Sequence, residues 1–295
     1  MRLIALVCLA LVSPGDLFRL KAEAIRSWEP RGFRVQAEGK RLREETLHSS
    51  ALNRTMKYRV LLPQGYETSQ RRYPVLYLLH GLTGDYKDWT TRTNIAEYTR
   101  SLQLIVVMPD GGNQWYTNAA DGSANFETYI TDDLPKDVVA KYRTVNSRYG
   151  RAIAGLSMGG YGALKLALKR PAAFAVAGSF SGAFGVTVEG RYDRMIEATK
   201  ATPLTAIFGT AGSDGRKQND VLALATAMKP AGAPYLYIDC GISDTLITEN
   251  RDVVAALHKA GVAYEYHEIA GAHSWDYWDR RVREFLVVLM KRLAN

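Results

Sequence analysis

The chain has 295 residues, of which 47% are hydrophobic and 23% are charged, and its formal net charge is +8. This composition argues against a disordered chain and is typical of a globular protein with a substantial core. No repeat period or break in composition divides the chain, so we expect one domain rather than two small ones. The basic residues of the N-terminal region, residues 19–57, are scattered and no nucleic-acid-binding motif accompanies them, which favours a solvated surface over a nucleic-acid partner.

The N-terminus has the pattern of a secretory signal peptide. Met1-Arg2 precedes an apolar run over residues 3–12, which is too short to span a bilayer. We therefore predict a signal peptide and leader over residues 1–24 and one domain over residues 25–295. The expected location is secreted or periplasmic, without stable membrane insertion. The alternative is a buried N-terminal strand or helix, in a cytoplasmic protein.

The elements that follow alternate in type along the chain. Two strands, joined by a turn at Asn53-Arg54, predict an antiparallel N-terminal edge: 45–52 and 56–63. Further strands are predicted at 75–79, 104–108, 151–156, 173–179, 235–239 and 263–269. Helices are predicted at 129–142, 158–169, 219–227, 248–259 and 275–293. This alternation predicts an α/β fold with a mostly parallel, buried central sheet and helices on both faces, whose functional loops follow the carboxyl ends of the strands.

The most informative motif is Gly155-Leu156-Ser157-Met158-Gly159, between a predicted strand and a predicted helix. In such a nucleophile elbow the serine occupies a tight bend, and a Cβ at either flanking glycine would collide with neighbouring backbone. The Met158 N–H then begins a helix, where it can stabilise a developing negative charge. The pattern predicts Ser157 as the nucleophile and Met158 as one oxyanion donor.

A serine nucleophile needs a histidine base and a carboxylate that orients the histidine. Of the five histidines, His273 follows a predicted strand and comes after the serine, as α/β-hydrolase chain order requires. The acid is expected after the strand at 235–239, where Asp239 and Asp244 are both candidates. We prefer Asp244, because Asp239 still belongs to the strand end. Sequence leaves open which carboxylate points at His273.

An earlier loop, His80-Gly81-Leu82-Thr83-Gly84, is the predicted source of the second oxyanion donor, the Leu82 N–H. We expect His80 to be a structural hydrogen-bonding residue beneath this loop. The segment from Asp110 to Tyr116 combines glycines with amide and aromatic side chains. It predicts substrate contact through Asn113 and Trp115, alongside Gly81 and Trp275, although Asp110 and Trp115 could equally serve in loop capping and packing.

Together, these motifs resemble the esterase D-like family, and the resemblance runs from about Thr46 to the C-terminus. That family includes S-formylglutathione hydrolases, short-chain carboxylesterases, feruloyl and acetylxylan esterases, and mycolyltransferases, all with an α/β-hydrolase fold. The resemblance implies a triad of Ser157, Asp244 and His273, with the Leu82 and Met158 amides as oxyanion hole.

The resulting hypothesis is a serine carboxylesterase that uses no metal or cofactor and acts on short-chain acyl or small aromatic (feruloyl or acetyl) esters of small molecules. The alternatives are a thioesterase of the S-formylglutathione hydrolase type and an acyltransferase to a sugar or lipid alcohol. A catalytically inactive binding protein with the same fold is a further alternative. The sequence does not predict an oligomeric state.

Overall fold

An eight-stranded sheet runs through the part of the chain that the computed structural model describes, residues 41–293. The strands are β1 (Leu42–Ser49), β2 (Arg54–Leu61), β3 (Val75–Leu79), β4 (Ile105–Pro109), β5 (Arg151–Leu156), β6 (Val176–Phe180), β7 (Tyr235–Gly241) and β8 (Tyr264–Ile269). Their order is β1-β2-β4-β3-β5-β6-β7-β8. Strand β2 pairs antiparallel with β1 and with β4, and all other neighbours are parallel. The predicted sheet with its antiparallel N-terminal edge is confirmed.

Ten helical elements connect or flank the strands in the described residues, apart from short 3-10 turns. They are α1 (Asp88–Arg92), α2 (Ile95–Tyr98), α3 (the successive segments Phe126–Thr128, Tyr129–Asp133 and Leu134–Lys141), α4 (Met158–Lys169), α5 (Asp193–Thr199), α6 (Leu204–Phe208), α7 (Asp214–Gln218), α8 (Val221–Ala227), α9 (Ile247–Lys259) and α10 (Trp275–Arg292). The middle segment of α3 is a π-helical turn.

The two faces of the sheet bury two separate apolar cores. Along β3, Tyr77 packs into one core and its neighbours Leu76 and Leu78 pack into the other, because successive side chains of a strand point to opposite faces. Helices α4 and α9 cover the first face, and α1 and α10 cover the second. Helices therefore lie on both faces, as the alternation of elements predicted.

The structure differs from the predicted elements in three places. Helices α1 and α2, of five and four residues, lie between β3 and β4 and were not predicted. No residue of β8 is fully buried, because this strand is the outer edge of the sheet; the expectation of a buried strand at 263–269 was wrong. Residues 193–218 form three short helices, α5 to α7, that the sequence analysis did not predict. They have five to seven residues each, too few for a helical period to be recognised.

The predicted signal peptide and leader over residues 1–24 lie outside the described residues, so export stays a prediction. Within residues 41–293, no helix combines the length and the apolar character that crossing a bilayer requires.

Candidate active site

Ser157 lies at a sharp turn between β5 and α4. Its backbone has φ 53° and ψ −117°, a conformation that non-glycine residues adopt only where the surrounding structure enforces it. The enforcing contacts are visible, since the Ser157 N–H donates to the Phe180 carbonyl at 2.9 Å and its own carbonyl accepts from Tyr161 at 2.9 Å. The turn leaves the Ser157 side chain lining an open cleft.

The flanking glycines are required by space, as predicted. A Cβ at Gly155 would lie 2.5 Å from the carbonyl carbon of Gly159, and a Cβ at Gly159 would lie 2.5 Å from the Leu79 carbonyl oxygen. Both contacts are with backbone that belongs to the central sheet or to α4, so neither can relax cheaply. The glycines thus allow α4 to start close against β3 and β5.

A continuous chain of hydrogen bonds joins the three predicted triad residues. His273 Nε2 lies 3.0 Å from Ser157 Oγ, and His273 Nδ1 lies 2.9 Å from Asp244 Oδ2. Because a carboxylate only accepts hydrogen bonds, Nδ1 of the neutral ring carries the proton and Nε2 is free to accept the serine proton. In this arrangement His273 can take the proton of Ser157, and the Asp244 carboxylate can stabilise the resulting imidazolium.

The environment of Asp244 keeps this carboxyl group ionised. Its burial raises the pKa, but the hydrogen bond and charge of His273 and the Leu246 N–H outweigh burial and hold the pKa of Asp244 below its ordinary value. The Leu246 N–H donates to Asp244 Oδ1 at 2.9 Å. The carboxylate is therefore fixed at both oxygens, one by the backbone and one by the histidine.

Asp239, the other candidate acid, belongs to a different network. Its carboxylate accepts hydrogen bonds from Tyr277 Oη and Arg281 Nε, both on α10. Burial raises the pKa of Asp239 against the opposing effect of these partners. The structure thus places Asp244, and not Asp239, at His273.

The two predicted oxyanion donors are the backbone amides of Leu82 and Met158. Leu82 lines the same cleft as Ser157, and no acceptor for its N–H is found among residues 41–293. Met158 is the first residue of α4, so its N–H has no acceptor within the helix. Two such donors beside a nucleophile suit the negative charge of a tetrahedral intermediate.

The loop that carries Leu82 is held from below by His80 and by the segment after β4. The Gly111 N–H donates to His80 Nε2 at 2.8 Å, so the proton of the neutral ring is on Nδ1, which donates to the Gly81 carbonyl at 2.7 Å. Tyr116 Oη donates to the His80 carbonyl at 2.8 Å. The structural role predicted for His80 agrees with these contacts.

Asn113 has a different position from the one that the sequence suggested. Its Oδ1 accepts from the Thr83 N–H at 2.7 Å, and Asn113 does not line the cleft. Asp110 caps its own loop, with Oδ1 accepting from the Gly112 N–H at 2.9 Å. The segment after β4 is therefore tied to the loop after β3 through Asn113, outside the lining of the cleft.

A buried lysine that the sequence analysis missed anchors this segment. Lys165 on α4 is fully buried, and its Nζ donates to the Tyr116 carbonyl and to Thr117 Oγ1, each at 2.7 Å. Burial lowers the pKa of Lys165 to about 7, although Glu127 Oε2 lies 3.2 Å away and opposes the shift. The sequence signal was a lysine with apolar neighbours on both sides, Leu164 and Leu166, in the middle of α4.

The cleft has a volume of about 390 Å³ and contains two of the predicted substrate contacts, Gly81 and Trp275. Trp115 is not among its lining residues. The Trp115 side chain is 1% exposed and packs edge-on against Tyr161 and Tyr192, so the expectation that it contacts substrate is not supported.

Two further residues, Trp278 and Ser181, interact with His273 and Asp244. The Trp278 ring lies edge-on to the His273 ring at 4.8 Å, and Trp278 Nε1 donates to Ser181 Oγ at 3.2 Å. The buried Ser181 hydroxyl also contributes to the lowered pKa of Asp244.

Within residues 41–293, no group of three or more histidine, cysteine or acidic side chains is placed to hold a metal ion.

Comparison with known proteins identifies the family. The family model "Esterase", described as "Putative esterase", matches residues 49–286. An acetyl esterase of Caldicellulosiruptor saccharolyticus is 30% identical over 211 residues, which are 70% of this chain and 79% of that protein. Esterase Rv1288 of Mycobacterium tuberculosis is 33% identical over 76% of this chain and 54% of its own length, so the match spans about half of that relative.

Solved structures agree with this result. FphF, a fluorophosphonate-binding serine hydrolase of Staphylococcus aureus, has a TM-score of 0.73 and 28% identity, over 84% of this chain and 97% of that one. A ferulic acid esterase shares the fold with a TM-score of 0.73 at 24% identity, over 86% of this chain and 98% of its own. The chain therefore belongs to the esterase family, has the α/β-hydrolase fold and is a carboxylic ester hydrolase.

Proposed function

We propose that this protein is a serine carboxylesterase that hydrolyses short-chain acyl or small aromatic esters through an acyl-enzyme. The supporting observation is the hydrogen-bonded chain from Ser157 through His273 to Asp244, which ends in an open cleft beside two backbone donors. A buried, ionised acid, a base of defined tautomer and a serine held in a strained turn are the parts that activate a hydroxyl nucleophile.

Acylation follows from this geometry. Ser157 Oγ attacks the ester carbonyl carbon while His273 Nε2 takes the hydroxyl proton, and the carbonyl π electrons move to the oxygen. The resulting oxyanion accepts hydrogen bonds from the Leu82 and Met158 amides. When the intermediate collapses, the bond to the alcohol oxygen breaks, and that oxygen takes the proton from His273 Nε2 as the alcohol leaves.

Deacylation repeats these steps with water in place of serine. His273 Nε2 takes a proton from the water as its oxygen attacks the acyl carbon, and the second oxyanion occupies the same two amides. Collapse breaks the bond to Ser157 Oγ, which regains its proton from His273 and releases the carboxylic acid. Asp244 stabilises the imidazolium in both halves of the cycle and stays ionised throughout.

The shape of the cleft favours small substrates. Its volume of about 390 Å³ is near the lower end of the roughly 300–1,000 Å³ range of small-molecule sites. Its walls mix aromatic and aliphatic side chains with charged ones and with the polar backbone of residues 81–84. A short acyl group or one aromatic ring fits this space and lining better than a long chain does.

The experiment is a comparison of p-nitrophenyl acetate, butyrate and octanoate with methyl ferulate, using wild type and Ser157→Ala. We expect serine-dependent hydrolysis with a preference for acetate, butyrate or ferulate, and a loss of several orders of magnitude in Ser157→Ala. Labelling of wild type but not Ser157→Ala by a fluorophosphonate would support an activated serine independently of substrate. Near-normal turnover by Ser157→Ala would overturn the proposal.

Acyl transfer to an alcohol is a second candidate, since the same acyl-enzyme serves both reactions. The observation that favours it is the similarity to the diacylglycerol acyltransferase/mycolyltransferase Ag85B of Mycobacterium leprae, which is 28% identical over 78% of this chain and 77% of that protein. Partition of the acyl group between water and an added sugar or glycerol decides between the two. Transfer that exceeds hydrolysis at millimolar acceptor would favour the transferase.

A further inference from the structure

One wall of the cleft carries a cationic side chain that the proposed reaction does not use. Arg92 is the last residue of α1, lines the cleft that contains Ser157 and His273, and has a side chain that is 56% exposed. The acidic side chain of the same wall, Asp88, is only 16% exposed. A molecule in the cleft therefore meets mainly the guanidinium group.

Two contacts hold the Arg92 side chain in place. Its Nε donates to Asp88 Oδ1 at 3.2 Å, one turn earlier in the helix, and its guanidinium carbon lies 5.5 Å from the centre of the Trp275 ring. No described residue accepts a hydrogen bond from either terminal nitrogen. The guanidinium is thus in contact with Asp88 through Nε and near the Trp275 ring, while its two terminal nitrogens remain available.

The aromatic side chains beside Arg92 form a packed series that ends at His273. The Trp275 ring packs edge-on against Trp89 at 5.6 Å and against Trp278 at 5.4 Å, and Trp278 in turn packs against His273 at 4.8 Å. The cation and the base therefore stand on one continuous aromatic cluster. Arg92 and Ser157 line the same cleft, so a substrate bound at Ser157 shares that cleft with the guanidinium.

We propose that Arg92 binds a carboxylate on the substrate, so that the preferred esters carry a negative charge away from the scissile bond. This inference rests on the proposed serine esterase function and adds the substrate class. A planar guanidinium with two free nitrogens matches the two oxygens of a carboxylate and is weakly hydrated for a cation. The net charge of +8 favours the approach of anions to the protein as a whole.

Asp88 limits the strength of this site but does not occupy it. Its carboxylate accepts from Nε of Arg92 and not from a terminal nitrogen, and it packs against Gly84, where a Cβ would lie 2.2 Å from Asp88 Oδ2. Because Asp88 lies close to Arg92, its negative charge partly offsets the positive charge that would attract an anionic substrate. Removing that charge should therefore strengthen the preference for anions, which gives the proposal a test in each direction.

The test compares 4-acetoxybenzoate with its neutral analogue 4-acetoxybenzamide. The quantity measured is the ratio of kcat/KM for the anionic ester to kcat/KM for the neutral one, in which differences between leaving groups are the same for every variant. We expect Arg92→Gln to lower this ratio about fivefold, the effect of one exposed ion pair, and Asp88→Asn to raise it. Added NaCl should lower the ratio of wild type and have little effect on that of Arg92→Gln.

Arg100→Gln is the matched control, because Arg100 is also a surface arginine, is 51% exposed and pairs with Glu97 outside the cleft. An unchanged ratio in Arg92→Gln, or an equal fall in Arg100→Gln, would overturn the carboxylate site. If either result is found and the neutral ester is still hydrolysed in a Ser157-dependent way, the proposed esterase function stands without the carboxylate site. If Ser157→Ala hydrolyses both esters as fast as wild type, the proposed function and the site fall together.

Discussion

The Thr83 N–H donates a hydrogen bond to Asn113 Oδ1 at 2.7 Å, which ties the loop after β3 to the loop after β4. Thr83 directly follows Leu82, whose amide is the proposed oxyanion donor. A donor stabilises an oxyanion only when it is held at the position where the charge develops. Asn113 is therefore a positioning residue, one step removed from the reacting atoms.

We expect Asn113→Ala to lower kcat about tenfold, with a smaller change in KM, because the Leu82 amide matters most in the transition state. Steady-state kinetics on p-nitrophenyl acetate measure both constants. Asn118→Ala is the control, since the Asn118 side chain also accepts from a backbone amide, that of Thr128, but belongs to no loop of the cleft. A fall in kcat of equal size in both variants would indicate general destabilisation and contradict the positioning role.

The choice of Asp244 as acid predicts a large catalytic effect of its neutral isostere. Asp244→Asn should lower kcat by roughly 10³- to 10⁴-fold, because an amide facing His273 Nδ1 favours the wrong tautomer. Circular dichroism and thermal unfolding should show a folded protein, since the Asn side chain can still accept from the Leu246 N–H. Turnover within tenfold of wild type would exclude Asp244 as the acid.

The difference in stability between wild type and Asp244→Asn should depend on pH. The pKa of Asp244 is lower in the folded protein than its ordinary value of 3.8, so its ionised form stabilises the fold above that pH. This contribution is lost as pH falls below 3.8 and through the folded-state pKa. In urea unfolding at pH 5, 4 and 3, the excess stability of wild type over Asp244→Asn should therefore shrink. A gap that stays constant down to pH 3 would contradict the assignment.

Gly159 provides a test of the turn itself. Gly159→Ala should destabilise the protein by about 3 kcal/mol or more, because the added Cβ would lie 2.5 Å from the Leu79 carbonyl and 2.6 Å from the His80 carbonyl. Gly232→Ala is the control, since a Cβ there meets no atom within 4 Å and pays only for a φ of +83°, about 1–2 kcal/mol. Chemical denaturation of both proteins measures the difference. Equal costs would mean that the elbow can relax.

The two tryptophans that the sequence proposed for substrate contact should behave differently. Trp115→Phe should lower Tm, because the smaller phenylalanine ring leaves a cavity at this buried position. It should leave KM within about twofold of the wild-type value. Trp275→Phe should raise KM for aromatic esters severalfold, since Trp275 lines the cleft. Thermal unfolding and initial rates on methyl ferulate separate the two effects. A larger KM change in Trp115→Phe would return that residue to the cleft.

The sequence by itself predicted the order of the strands and of the longer helices, and it predicted that Ser157 and His273 meet at one edge of the sheet. Glycines at 155 and 159 around Ser157 have one physical explanation, a bend too tight for a Cβ, and the alternation of strands and helices follows from local periodicity. Because parallel strands end at one edge of a sheet, residues after different strands were expected to meet there. Ser157 and His273 are 116 positions apart in sequence and 3.0 Å apart in the structure.

Only the tertiary structure decided what depends on the direction of a side chain. In the sequence both Asp239 and Asp244 are candidates for the acid. In the structure, Asp239 accepts from Tyr277 and Arg281, whereas Asp244 forms the hydrogen bond with His273. Trp115 packs inward against Tyr161 and Tyr192, and Asn113 accepts from the Thr83 N–H across a contact between two loops. Lys165 on α4 also reaches a distant segment, since its Nζ donates to the Tyr116 carbonyl in the loop after β4. These contacts arise from packing between segments distant in the chain, which no local pattern encodes.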